Sequence, residues 1–218
     1  MTLTKQSLAN VPKKKHRGKR FFGKRETRAE KAFGRRATTI RARRGEDGAW
    51  SLVPPRCAIE RQLDLEEVQA MLDAGEIDVA TDELRWLLSE CADFMPAHRL
   101  LGELAMEVGD FQLARGHFGY AFEIGRSALP EGKLDGPLPY ADERNQPLFE
   151  AAKGLAWCLK QLDKPRLGLA VVEEMLNWDT SDPLNVRPWL EAWRSPAKGV
   201  APPSPAHRPR GGQRPERS

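Results

Sequence analysis

Laid over itself with an offset of 34 residues, the chain matches in register. Met71 falls on Ala105, Gly75 on Gly109, Ile77 on Phe111, Ala80 on Ala114, Leu84 on Phe118 and Leu87 on Ala121. A period of this size marks one supersecondary unit that cannot bury its apolar face alone, so several units must stack to share a core. Within each unit an apolar-periodic helix ends near the glycine and a second amphipathic helix follows. Small Ala80 and Ala114 let the two helices of a pair approach closely. Larger Leu84 and Phe118 fill the space between pairs.

These residues resemble the tetratricopeptide repeat family. In the second unit Leu101-Gly102, Ala105, Gly109, Phe111, Ala114, Phe118 and Ala121 stand where that pattern has its Leu-Gly, small, Gly, aromatic, Ala, aromatic and Ala. The first unit has Glu67-Val68 in place of Leu-Gly. A third unit starts near Phe149, with Ala152, Leu155, Ala156, Leu159, Val172 and Met175 at apolar or small positions. It has Asp163 in place of the turn glycine and Gly168 in place of the packing alanine. The units run near 61–94, 95–128 and 149–182. The insertion 129–148 holds Pro130, Gly132, Gly136, Pro137 and Pro139, which exclude a regular helix. Residues 186–193 read as a short capping helix, with Pro188 in its first turn and Trp189 and Trp193 on one face. The resemblance covers residues 61–183. It implies an all-α, TPR-like α-solenoid of about three helical hairpins within a repeat domain at 61–194. The whole chain is also similar to small bacterial repeat proteins with a basic head and a helical body containing Trp and Cys, a likeness that brings no activity with it.

In that family the first helix of each unit lines a concave groove. Carried over by position, the groove holds Leu65, Gln69, Leu72 and Asp73, then Arg99, Leu100, Glu103, Met106 and Glu107, then Lys153, Trp157, Lys160 and Gln161. Such a surface, acidic toward Glu103 and Glu107 and basic toward Lys153 and Lys160, suits an extended or helical peptide anchored at Trp157. The alternative for Trp157 is a core position against the capping helix. A clamp for a carboxyl terminus needs Lys and Asn at set positions, where this chain has Leu65, Gln69, Leu100, Glu150 and Gly154.

The net charge of +4 conceals an asymmetry. Residues 1–44 carry 16 Lys and Arg against two acids, 45–194 carry 14 against 28, and 195–218 carry five against one. An acidic body thus bears a basic tail at 1–44 and a Pro- and Arg-rich tail at 195–218. Both read as disordered, the first because self-repulsion is high and burial low, the second because prolines alternate with Gly, Ser and Arg. In the first tail, Lys13, Lys14, Lys15, Arg17, Lys19, Arg20, Lys24 and Arg25 flank Phe21 and Phe22. Cations release counterions from phosphates and aromatic rings stack on unpaired bases, so RNA or DNA is one partner class. A solvated arm, a protein-binding arm and attraction to the acidic body are the others. Between tail and repeats, residues 45–60 read as an extended N-terminal cap: a turn at Gly45-Glu46-Asp47-Gly48, an apolar run containing Trp50, then Pro54-Pro55. Trp50 is expected over the first helix pair.

No catalytic pattern emerges. The sequence has no P-loop, no dinucleotide-binding glycine motif, no HExxH and no GxSxG. Adjacent acids such as Glu66-Glu67 point about 100° apart on a helix and read as solvated faces. His98 and His117 lie on the two helices of unit two and can approach each other, without the ligand set of a metal site. Cys91 with His98 reads as filler rather than as a nucleophile and base. Cys57, Cys91 and Cys158 form no CxxC pair, so a disulfide framework is not expected and a reducing cytosol fits. No apolar leader or run long enough to span a membrane occurs. The resulting expectation is a cytoplasmic, non-enzymatic scaffold without metal or cofactor, binding a protein or peptide. The alternative is an RNA- or DNA-associated protein whose repeats recruit a protein.

Overall fold

A computed structural model of the chain describes residues 39–194. The cationic and aromatic positions from Lys13 to Arg25 and the tail 195–218 lie outside the described residues. Two strands come first, β1 (Arg41–Arg44) and β2 (Trp50–Val53), paired antiparallel with Arg41 opposite Val53 and Arg44 opposite Trp50. Eight helices follow: α1 (Arg56–Glu60), α2 (Gln62–Asp73), α3 (Ile77–Glu90), α4 (Met95–Glu107), α5 (Phe111–Ala128), α6 (Gln146–Gln161), α7 (Pro165–Trp178) and α8 (Arg187–Arg194). The described chain is thus mostly helical, and each of α2 to α7 packs on the next helix in sequence.

The repeat is written in the turns. At Gly75 (φ 81°), Gly109 (φ 79°) and Asp163 (φ 56°) the chain enters the left-handed region. Glu76, Asp110 and Lys164 each donate a backbone N–H to the carbonyl five residues back, on Met71, Ala105 and Leu159. Gly75, Gly109 and Asp163 donate to Leu72, Met106 and Lys160. This paired pattern satisfies the last carbonyls of a helix and demands a left-handed residue, which glycine adopts freely. Asp163 adopts it in the third unit because a short polar side chain tolerates that conformation best after glycine. Three helix pairs, α2–α3, α4–α5 and α6–α7, thus share one turn.

Packing follows the same logic. Phe118 on α5 is fully buried where α4, α5 and α6 meet. A Cβ built on Gly102 would lie 2.8 Å from its ring, and one on Gly154 would lie 2.6 Å from it. Both glycines therefore exist to admit that ring. Gly168, the departure from the packing alanine, has an equally local cause: a Cβ there would meet the Ala156 carbonyl at 2.9 Å and Trp193 at 3.0 Å. Trp193 and Trp189 of α8 stack with ring centroids 4.9 Å apart, both buried, and close the end of the helix series as expected of a capping helix. The apolar core forms two clusters. The smaller joins α3 and the start of α4 around Leu84, Leu87, Phe94 and Leu101, while the larger runs from α4 through α8.

Three expectations are corrected. Trp50 does not cover the first helix pair. It sits against the 129–145 insertion, where its N–H donates to the Pro137 carbonyl (2.8 Å) and its indole Nε1–H to Asp135 (3.1 Å). The insertion supplies both acceptors, and Gly136 lets the two backbones meet, since a Cβ there would lie 2.2 Å from the Gly48 carbonyl. The basic tail does not extend to Arg44, because β1 takes residues 41–44 and Arg44 pairs with Asp135 at 3.0 Å. The third correction concerns the cysteines. Cys57 and Cys91 form a disulfide, with Cα atoms 5.7 Å apart. The short helix α1 turns Cys57 back onto the chain leaving α3, and that separation lies within bridging range. The argument for a reducing cytosol from unpaired thiols therefore falls. Cys158 alone is free and buried, and burial pushes its thiol up to about 12. No described helix is long and apolar enough to cross a membrane.

Candidate functional site

The expected groove residues fall on α2, α4 and α6. Arg99, near the start of α4, reaches two carboxylates. Its guanidinium pairs with Glu103 one turn on (2.5 Å) and crosses to Glu150 on α6 (3.1 Å). Tyr140, from the insertion, donates its hydroxyl to the other Glu150 oxygen (3.2 Å). Burial is the main cause that raises the Tyr140 phenol above its usual range, with Glu150 adding to it. Lys153, one turn along α6 and half-buried, has its ammonium pushed below the usual range by burial, against the opposing fields of Asp182 and Glu150. A charge ladder therefore runs across α4 and α6. Its mostly buried Arg99 is held from two sides, a geometry in which charge pairs contribute more than on an open surface.

Gln69 donates to Asp73 (3.1 Å) along the α2 surface. Glu107 and Lys160 occupy the last turns of α4 and α6. Trp157 is a correction: it is only 8 % exposed and packs 5.7 Å, centroid to centroid, from Trp189. It belongs to the core under the capping helix and offers no ring to a ligand. Glu150 and Tyr140 were not among the expected groove residues. Glu150 was legible only as a residue unsuited to a carboxylate clamp, and no local pattern ties Tyr140 to α6.

A second polar cluster lies between α4 and α5. His98 Nε2 is 3.0 Å from the Ala92 carbonyl, and its Nδ1 is 3.4 Å from His117 Nδ1. A carbonyl only accepts, so His98 carries its proton on Nε2 and presents a lone pair at Nδ1, which must accept from His117 Nδ1–H. Tyr120 lies tilted against His98, ring centroids 4.5 Å apart, and donates to Asp93 (3.4 Å). Burial chiefly lowers both imidazoles, His98 to about 4. Among the described residues no group of three or more His, Cys, Asp or Glu side chains is placed to hold a metal ion.

This cluster sets a pH dependence. The unfolded chain binds a proton at imidazole near 6.5 and the folded one near 4, so between these values the unfolded state holds more protons and stability falls as pH drops. Discounted for partial exposure, the loss between pH 7 and pH 4 is about 1–2 kcal/mol. Urea midpoints across that range should show it, and a His98→Asn variant should flatten the slope.

Comparison with known proteins adds no relative: no family model, curated protein or solved structure matches the chain.

Proposed function

We propose that the chain is a non-enzymatic scaffold, a TPR-like α-solenoid that receives a protein or peptide along the face shared by α2, α4 and α6. The observation that carries this reading is Arg99, which ties α4 to α6 through Glu150 and so brings charged groups of two repeat units onto one surface. The three identical helix turns support the repeat assignment. With Trp157 in the core, recognition rests on charge register rather than on an apolar anchor: Glu103 and Glu150 favour cationic side chains beside them, and Lys153 an anionic one.

The test compares proteins recovered by the full chain and by an Arg99→Glu variant, with Arg115→Glu on the exposed side of α5 as control. The reading expects a partner bound by wild type and control and weakened at least about tenfold by Arg99→Glu, since a glutamate beside Glu103 and Glu150 reverses the charge register that the partner reads. Equal recovery by all three sinks it. Trp157→Ala is no substitute, because it would report core stability.

A further inference from the structure

The first helix pair is uncovered on one side. Val68 is the one fully buried residue of α2. At 100° per residue, Leu63, Glu66, Ala70 and Asp73 lie about 140–160° round the helix from it and Glu67 about 100° round, all exposed, with Leu63 at 71 %. Ile59 of α1, 61 % exposed, precedes Leu63 by four residues. The charge is one-sided as well. Residues 56–90 hold ten acids and three arginines. Those arginines pair with Glu60, Asp64, Glu90 and Asp82. Glu66, Glu67, Asp73, Glu76, Asp78 and Glu83 have no Lys or Arg of the described residues within ion-pair distance. A helix face with exposed leucine among uncompensated carboxylates calls for a cationic, partly apolar occupant.

The chain carries such an occupant. Residues 13–36 hold twelve Lys and Arg against Glu26 and Glu30, with Phe21, Phe22 and Phe33 interleaved. The place where this segment joins the fold decides between occupants. Arg41 pairs with Val53, and Val53 lies three residues before α1 begins at Arg56. The basic segment therefore joins the fold at β1, which packs on α5 with Ile40 in the larger cluster, and α1 begins about 10 Å of chain beyond the Val53 that faces Arg41. An extended stretch of 24 residues reaches up to about 80 Å, against about 18 Å for the whole of α2. Tethering at that point gives an effective concentration on the order of millimolar, which a free competitor must exceed.

We propose that the outward face of α2 is the docking site of the chain's own basic segment, residues 13–36, bound in cis. Charges on Glu66, Glu67 and Asp73 hold it, and Leu63 and Ile59 receive its phenylalanines. The segment masks the acidic face and is itself withheld from other polyanions.

Zero-length carbodiimide coupling of the full chain, read by mass spectrometry, tests this. At low salt, lysines of residues 13–31 should couple to Glu66, Glu67, Asp73 or Glu76 within single chains, with a yield that ignores dilution. At about 0.5 M salt the yield should fall several-fold, as the screening length shrinks to about 4 Å. Two variants should lose the coupling: Glu66→Lys with Glu67→Lys on the face, and Lys19→Glu with Arg20→Glu in the segment, where the described body is untouched. The face variant should also bind a 20-nucleotide polyuridine RNA several-fold more tightly than wild type. Coupling only between chains, no coupling at low salt, or equal RNA affinity for both proteins would overturn the proposal.

Discussion

Replacing Asn145 with alanine is expected to destabilise the protein by about 3–4 kcal/mol, because three buried or half-buried backbone partners lose their bonds at once. Asn145 is fully buried. Its side-chain oxygen accepts from the Leu52 N–H (2.9 Å), while its Nδ2 donates to the Trp50 carbonyl (3.1 Å) and the Pro139 carbonyl (2.9 Å). Only one amide orientation satisfies this set, since an oxygen facing two carbonyls would gain nothing. The residue thereby joins β2, the insertion and the start of α6. Denaturant unfolding measures the loss. Asn145→Asp separates this account from simple cavity formation. The carboxylate can still accept from Leu52 but repels both carbonyls, so its folded pKa is raised, the folded state binds the extra proton, and stability should recover as pH falls toward 4. An Asp variant whose stability ignores pH contradicts the assignment.

The second large effect is expected on reduction. The Cys57–Cys91 bond closes a loop with a sequence separation of 34 that contains the whole α2–α3 pair. Chain-entropy reasoning gives such a crosslink about 3–4 kcal/mol. Few fully buried side chains hold that pair: α2 buries Val68, with Leu65, Met71 and Leu72 partly buried beside it, and α3 contributes Ala80, Leu84 and Leu87 to the smaller core cluster. Reductant, or paired Cys57→Ser and Cys91→Ser substitutions, should therefore release α2 and α3 first. Hydrogen exchange should show amides of residues 62–90 losing protection while those of α6 and α7 keep it. Uniform loss across all helices would mean that the bond supports the stack as a single unit.

The helices were legible in the sequence wherever the signal was local. Gly75 and Gly109 end helices because their left-handed turns leave a mark at fixed spacing, and even Asp163 could be placed by register. The tryptophan pair of α8 could be read from its four-residue spacing. What escaped reading was carried by contacts across long separations. Trp50 bonds to Asp135, and Leu52 to Asn145, more than eighty residues away; nothing near either residue announces its partner. Trp157 has helical spacing compatible with a groove or a core, and only the arrival of Trp189 decides between them. The disulfide does leave a mark in the sequence: Cys57 and Cys91 are 34 residues apart, one period of the repeat, so Cys57 stands just before the first unit as Cys91 stands just before the second. At the candidate site, Arg99 and Lys153 were found by register, whereas Tyr140 came from an insertion that no register describes.

The ring of Phe118 between Gly102 and Gly154 has a consequence for how this sequence can drift over generations. Three positions on three helices answer to one volume. A lineage that enlarges either glycine must first shrink the aromatic, and once the aromatic has become leucine or smaller, the glycines lose the pressure that kept them bare. Descendants should therefore split into two camps, ring with two glycines or aliphatic with two larger residues, and mixtures of the two should be scarce.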